Sequence, residues 1–413
     1  MMKYLIVFIF LLTLTAHSLL SAPITWEQWR GPNRDGKISN PDFTWPDNLK
    51  GIKKEWSNEL SEGYASPIVT TDRVFTVETK DKSEEITRAF DRKSGKQLWE
   101  LSWKGAMKVP FFARKNGSWI RSTPIYSKGT LYVGGIRDVL IAIDGQTGKE
   151  KWRVDFVAQE KSRVPTFGFV SSPIISNDHL YVQAGAQIIK IKCSDGSKVW
   201  DAMKDNRAMN GSAFSSLVIA EVAGKNQLLA QTREELAGLD LNSGNVMWRY
   251  KVKAFRGLNI LTPTVIGDNL FTSSYGGGSF LFRVGTDKKG MNVSKTWSNK
   301  TEGYMSSPIS LEGHVYMHGR DKRFHCIETN TGQVKWSSKG KFSEYVSLVA
   351  NKDKALALTA DGKLLLIHLN PSKFKLIDTT KISNEPTWAH LAVCGKEFFI
   401  RELKGLTKLI WTQ

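Results

Sequence analysis

Apolar residues along this chain come in short bursts. Runs such as 131–133, 139–143, 180–183 and 314–317 are each bounded by Gly, Asn, Asp or Ser. Side chains alternate within them, which is the two-residue period of a β-strand, and no convincing 3.6-residue period appears between them. Residues 4–14 differ: they are almost unbroken in apolarity, follow Lys3, and lead into the small residues Ala16, Ser18, Ser21 and Ala22. That layout predicts a secretory signal over residues 1–21, cut after Ser18 or Ser21. At about 20 residues a membrane span needs a longer apolar run, and no other stretch reaches that length, so no transmembrane span is expected once the signal is removed. No Cys lies near the cleavage region to take a lipid, and the chain is expected to be exported, to a periplasmic or extracellular location.

The strand pattern repeats. A hydroxyl residue, then Pro or Leu, then a β-branched run recurs at Ser66-Pro67, Thr123-Pro124, Ser172-Pro173, Ser216-Leu217, Thr262-Pro263, Ser307-Pro308 and Ser347-Leu348, with His390-Leu391 a degenerate eighth copy; the steps run from 40 to 57 residues. A second phrase follows each by about thirty residues. Ala89-Phe90-Asp91 through Ser94-Gly95-Lys96 to Trp99 is matched by Ala142-Ile143-Asp144 through Thr147-Gly148-Lys149 to Trp152, and weaker copies end at Trp200, Trp248 and Trp336. A diverged copy ends at Trp297, and the seventh has lost its Trp. Asp-x-x-Ser/Thr-Gly is turn chemistry, with Asp bonding the backbone ahead and Gly taking positive φ, so each phrase is a hairpin. About four short strands per period, eight times over, predicts an all-β, eight-bladed β-propeller of four-stranded antiparallel blades. The C-terminus supplies three strands, one short of a blade, and the stretch around Trp56 is the expected fourth. The propeller would thus span residues 52–413, closed by an N-terminal strand, with residues 22–51 as an arm laid against it.

Composition narrows the function classes. The chain has 413 residues, 58 Lys+Arg against 40 Asp+Glu (net +18), 14 Trp and 3 Cys. The charges are scattered, no nucleic-acid motif is present, and a monomer is expected. Cys193, Cys326 and Cys394 are too few and too far apart for a disulfide framework and read as buried hydrophobes. His314 and His318 on one strand would sit about 13 Å apart, too far to share an ion, and no metal site is expected.

The phrase Ala-x-Asp-x-x-Thr-Gly-Lys-x-x-Trp resembles the tryptophan-docking motif of pyrroloquinoline-quinone (PQQ) type propellers, and the opening residues 26–36 and the stretch Trp388-Ala389-His390 resemble secreted bacterial PQQ-like repeat proteins. The resemblance implies that Trp56, Trp99, Trp152, Trp200, Trp248, Trp297 and Trp336 pack against adjacent blades. It also implies one of two activities: a quinoprotein dehydrogenase holding PQQ with calcium and acting on alcohols or sugars, or a non-catalytic scaffold like the outer-membrane assembly propeller. This chain lacks the adjacent cysteine pair and the haem attachment motif of the dehydrogenases, and no catalytic residue is assigned. The reading adopted is a binding or protein-interaction scaffold of the cell envelope, with an envelope protein or a polymer as partner and no cofactor; glycan binding is a further alternative.

Residues just before each hydroxyl–Pro register should enter the innermost strand near the channel mouth. They are Tyr64, Arg121, Phe169, Phe214, Asn259, Tyr304, Tyr345, Trp388 and His390. As a ring they offer flat faces and one cation to a quinone, sugar or peptide, or else simply plug a tapering funnel. The long step at residues 108–121 mixes aromatic residues with cations and is a second candidate contact surface.

Overall fold

A computed structural model describes residues 24–38, 44–111, 113, 117–205, 207 and 214–412; the signal segment, its cleavage site and Phe112, Arg114, Lys115 and Asn116 of the long loop lie outside them. The strands form eight four-stranded antiparallel sheets. Blade one runs from Ile68–Val69 to Gln97–Lys104, and blades two to seven follow in chain order. Blade eight combines Ala392–Cys394, Glu397–Glu402 and Gly405–Trp411 with the early strand Ile52–Glu59, which pairs antiparallel to Gly405–Trp411. The two ends of the chain therefore share one sheet, and the ring has no open seam. Blades five and seven, whose repeat is diverged, are both complete.

Each element of the repeat has a physical job. In the hairpins, Asp91 Oδ1 accepts from Ser94 N at 2.7 Å and Asp144 Oδ1 from Thr147 N at 2.9 Å. The glycine that follows takes positive φ, 72° at Gly95 and 73° at Gly148, and leaves room for a tryptophan from the preceding blade. A Cβ on Gly148 would stand 2.6 Å from the Trp99 ring. The indole N–H of each docked tryptophan then donates to a carbonyl of the next blade: Trp56 to Arg92, Trp99 to Gly145, Trp152 to Cys193, Trp200 to Leu241, Trp297 to Thr329 and Trp336 to Asn370, at 2.7–3.3 Å. Trp248 differs. Its N–H donates to Gln227 Oε1 of its own blade at 2.7 Å, because blade five's long hairpin Gly278–Asp287/Gly290–Asn299 has no Asp-x-x-Ser/Thr-Gly turn to receive it; the ring still packs among apolar residues of both blades. In blade seven Asp378 stands where the tryptophan would be, and its carboxylate accepts from Leu49 N of the arm at 2.7 Å. Trp45 of the arm is buried there against Trp411, with ring centroids 6.3 Å apart. The arm thus supplies the indole that the seventh repeat lost.

The recurring hydroxyls are also explained. Ser66 N donates to Thr123 Oγ1, Thr123 N to Ser172 Oγ, Ser172 N to Ser216 Oγ and Thr262 N to Ser307 Oγ, at 3.0–3.3 Å. Backbone groups at the ring's inner edge have no strand partner on the channel side, and the neighbouring blade's hydroxyl satisfies them.

The first half of the arm does more than wrap. Trp26 pairs with Val69 of blade one, Tyr126 N of blade two donates to Glu27 O at 2.8 Å, and Ala350 of blade seven bonds Gly36 and Ile38. Arg34 donates to the Pro173 and Ser172 carbonyls of blade three at 2.8 and 3.0 Å, Arg30 to the Pro308 carbonyl of blade six, and Trp29 Nε1 to Thr262 Oγ1 of blade five at 3.2 Å. His390 of blade eight sits edge-on to Trp29, 5.1 Å between centroids. Residues 24–38 therefore cross one end of the central channel and touch seven blades. The three cysteines are free, Cys326 and Cys394 fully buried and Cys193 partly so. No helix among the described residues is long and apolar enough to cross a membrane.

Candidate functional site

The arm's backbone contacts at Val69, Tyr126 and Ala350 lie two residues beyond the Pro/Leu of each repeat; the residues three before it lie at the opposite end of the same inner strands. All eight of those positions, Tyr64, Arg121, Val170, Phe214, Ile260, Met305, Tyr345 and Trp388, line one cavity of about 370 Å³. Ser172, Ser216, Thr262, Ser307, His390 and the arm's Trp29 line it as well, and, being nearer the arm, form its floor. The channel is thus a cup whose floor the arm forms.

Of the nine residues chosen from sequence, seven line this cup: Tyr64, Arg121, Phe214, Tyr304, Tyr345, Trp388 and His390. Phe169 and Asn259 do not. They stand four residues before the Pro, as Tyr304 does, but unlike Tyr304 their side chains turn into the blades: Phe169 is buried against Phe156, and Asn259 Nδ2 donates to Arg233 O at 3.0 Å. Their neighbours Val170 and Ile260, with Met305, hold the wall instead. These aliphatic positions carry no chemical signature of a site in sequence, but the position three before every Pro/Leu marks all eight. Arg233, Arg256, Phe167 and Phe255 also line the cup from inter-blade segments whose approach follows from closure of the ring.

The wall has two faces. Tyr345, Trp388 and Tyr64 form a stack, with centroids 5.8 and 5.9 Å apart and ring planes 9° and 27° from parallel. Trp119 meets Tyr64 edge-on at 5.2 Å, bringing the end of the long loop to the cup. Across from the stack, Phe167 and Phe214 pack at 5.2 Å and the Arg233 guanidinium lies 4.9 Å from the Phe214 centroid. Among the described residues three arginines line the cup, and no Asp, Glu or Lys does. Burial lowers Arg121 to about 10; among the described residues its guanidinium donates to the Gly117 and Trp119 carbonyls. Burial, with Arg30 beside it, pushes His390 down to about 3, so that imidazole is neutral. Burial raises the Tyr64 phenol to about 12.

This donor set does not fit calcium, which takes several oxygen ligands with carboxylates prominent among them. Hydroxyls, rings and guanidinium groups line the cup, and the last repel a cation. Among the described residues no group of three His, Cys, Asp or Glu side chains comes together as metal ligands.

Residues 82–338 match the family model described as outer membrane protein assembly factor BamB. The chain belongs to that family. The assembly factor of Shewanella oneidensis is 21% identical over 369 residues, covering 76% of this chain and 88% of that protein. That of Yersinia pestis is 19% identical over 299 residues, covering 69% and 70%. Among solved structures, BamB from Moraxella catarrhalis superposes with a TM-score of 0.64 at 15% identity, over 88% of this chain and 98% of that one. A quinohemoprotein alcohol dehydrogenase from Pseudomonas putida HK5 gives 0.61 at 12% identity, over 94% and 80%. The propeller is therefore shared by scaffold and enzyme alike, and the site has to separate them.

Proposed function

We propose that this protein is a non-catalytic propeller of the cell envelope that works by binding, as a scaffold for a protein partner at or near the outer membrane. The observation that carries the reading is the family match, which extends over more than half of the chain and comes from assembly factors of the outer membrane. The cup supports it: among the described residues its lining has neither carboxylates for a calcium ion nor a nucleophile paired with a base. The hydrophobic segment at residues 4–14 supports an exported location.

The experiment has two arms. The mature protein is titrated with PQQ, with and without calcium, while tryptophan emission is followed; the tagged protein is also cross-linked in its native envelope and the partners are identified. The binding reading expects an outer-membrane β-barrel or its assembly machinery in near-stoichiometric amount and no calcium-dependent quinone binding. Saturable PQQ binding that requires calcium would overturn it in favour of a dehydrogenase.

A further inference from the structure

The cup has an electrostatic imbalance that a scaffold does not require. Three buried guanidinium groups, Arg30, Arg34 and Arg233, and the half-buried Arg121 surround the channel, and the hydrogen bonds of Arg30, Arg121 and Arg233 end on backbone carbonyls. Arg34 adds a long contact to the Gln28 amide oxygen, 3.4 Å, to its two carbonyl bonds. The carboxylates nearest Arg233, Asp205 and Glu234, are held by Arg207 at 2.7 and 2.9 Å. A buried charge whose own hydrogen bonds end on neutral carbonyls is only partly compensated, and a low-dielectric funnel concentrates its field at the mouth. Two buried side chains in the cup also keep unpartnered polar atoms: Arg233 at Nε and Nη1, and His390 at Nε2. Beside these cations stands the flat Tyr345–Trp388–Tyr64 stack.

We propose that the cup is a binding site for a small, flat organic anion of the aromatic carboxylate class, taken up without a metal ion. The stack offers a face to the ring, and Arg121 and Arg233 offer donors to the acid group. A volume of about 370 Å³ suits a one- or two-ring body and is too small for a folded segment of a partner. The arm closes the far end of the cup. The proposal rests on the binding-propeller reading only in treating the cup as a recognition site.

The test uses two probes that share an apolar body and differ in charge: 1-anilinonaphthalene-8-sulfonate and neutral N-phenyl-1-naphthylamine. The mature protein should bind one sulfonate probe per chain, weakened by salt, and bind it about tenfold more tightly than the neutral probe. Arg121→Gln should reduce sulfonate affinity about tenfold and leave the neutral probe within about twofold; Arg121→Lys should restore part of the loss, and 2-naphthoate should compete. Circular dichroism checks that each variant is folded. If Arg121→Gln does not fold, Arg256→Gln at the rim takes its place, with the salt dependence as readout. Equal affinity for the two probes, several sulfonate sites per chain, or indifference to the arginine substitution would overturn the proposal. Calcium-dependent PQQ binding would sink the scaffold reading and leave this comparison standing, so the two failures are distinct.

Discussion

At the scale of the residue, the most demanding positions are where a glycine in the left-handed region receives a tryptophan from the preceding blade. At Gly148 both constraints act together: φ is 73°, and a Cβ would strike the Trp99 ring. Gly148→Ala should therefore destabilise the protein by about 2 kcal/mol or more, by combining backbone strain with displacement of the ring. Trp99→Ala at the same junction should remove about 3 kcal/mol by deleting the ring itself. Urea denaturation followed by circular dichroism measures both, and the double variant should lose less than the sum, because the two changes destroy one contact. This junction was legible in sequence because turn residue and tryptophan recur at fixed spacing. Trp248 was legible only in part: its sequence phrase is intact, but the partner turn it needs is missing from the following repeat, and only the neighbour's structure shows that its N–H goes to Gln227.

At the scale of the element, the arm is the part that sequence revealed least. Its lack of period correctly sets it apart from the blades, and its three described tryptophans announce packing. Nothing local, however, says that Arg30 and Arg34 bond carbonyls of blades six and three, because those carbonyls converge only when the ring closes. The same reason hides the contributions of Arg233 and Phe255 to the cup, whereas the eight wall positions follow from counting. Removing residues 24–38 should lower the melting temperature while leaving the far-UV spectrum largely intact, since the arm contributes two isolated bridges and no strand. It should also open the cup at its floor, detectable as faster quenching of tryptophan emission by acrylamide. A spectrum that collapsed to random coil would instead mean that the blades cannot close without it.

At the scale of the whole molecule, two buried carboxyl groups link successive blades and give the ring a pH dependence. Glu85 of blade one accepts from Trp103 Nε1 and, across the junction, from Ile136 N, both at 2.9 Å; Asp138 accepts from Gly185 N of blade three at 2.6 Å. Burial outweighs these bonds and raises each to about 7. The folded state therefore holds these protons more tightly than the unfolded chain does. Between about pH 4.5 and 7 it binds more protons, and stability falls as pH rises through that window, then levels off above it. The loss should be seen as a melting temperature lower at pH 8 than at pH 5. Glu85→Gln, which keeps an acceptor and cannot ionise, should flatten the slope.

The position of the arm also bears on how the molecule is made. Residues 24–38 are synthesised before every blade and, in an exported protein, cross the membrane before them. Yet their partners on blades six, seven and eight arrive last, and the strand Ile52–Glu59 waits for Gly405–Trp411, the final strand of the chain. Contacts so distant in sequence make folding slow. A chain delivered head first thus carries its cork before it has a bottle. Until the last hundred residues emerge, Trp26, Trp29 and Trp45 have no complete surface to cover them, and the half-made ring depends on whatever shields exposed apolar residues in that compartment. Once the final strand is paired, plug, seam and cup are completed together, so recognition becomes available only to a finished molecule.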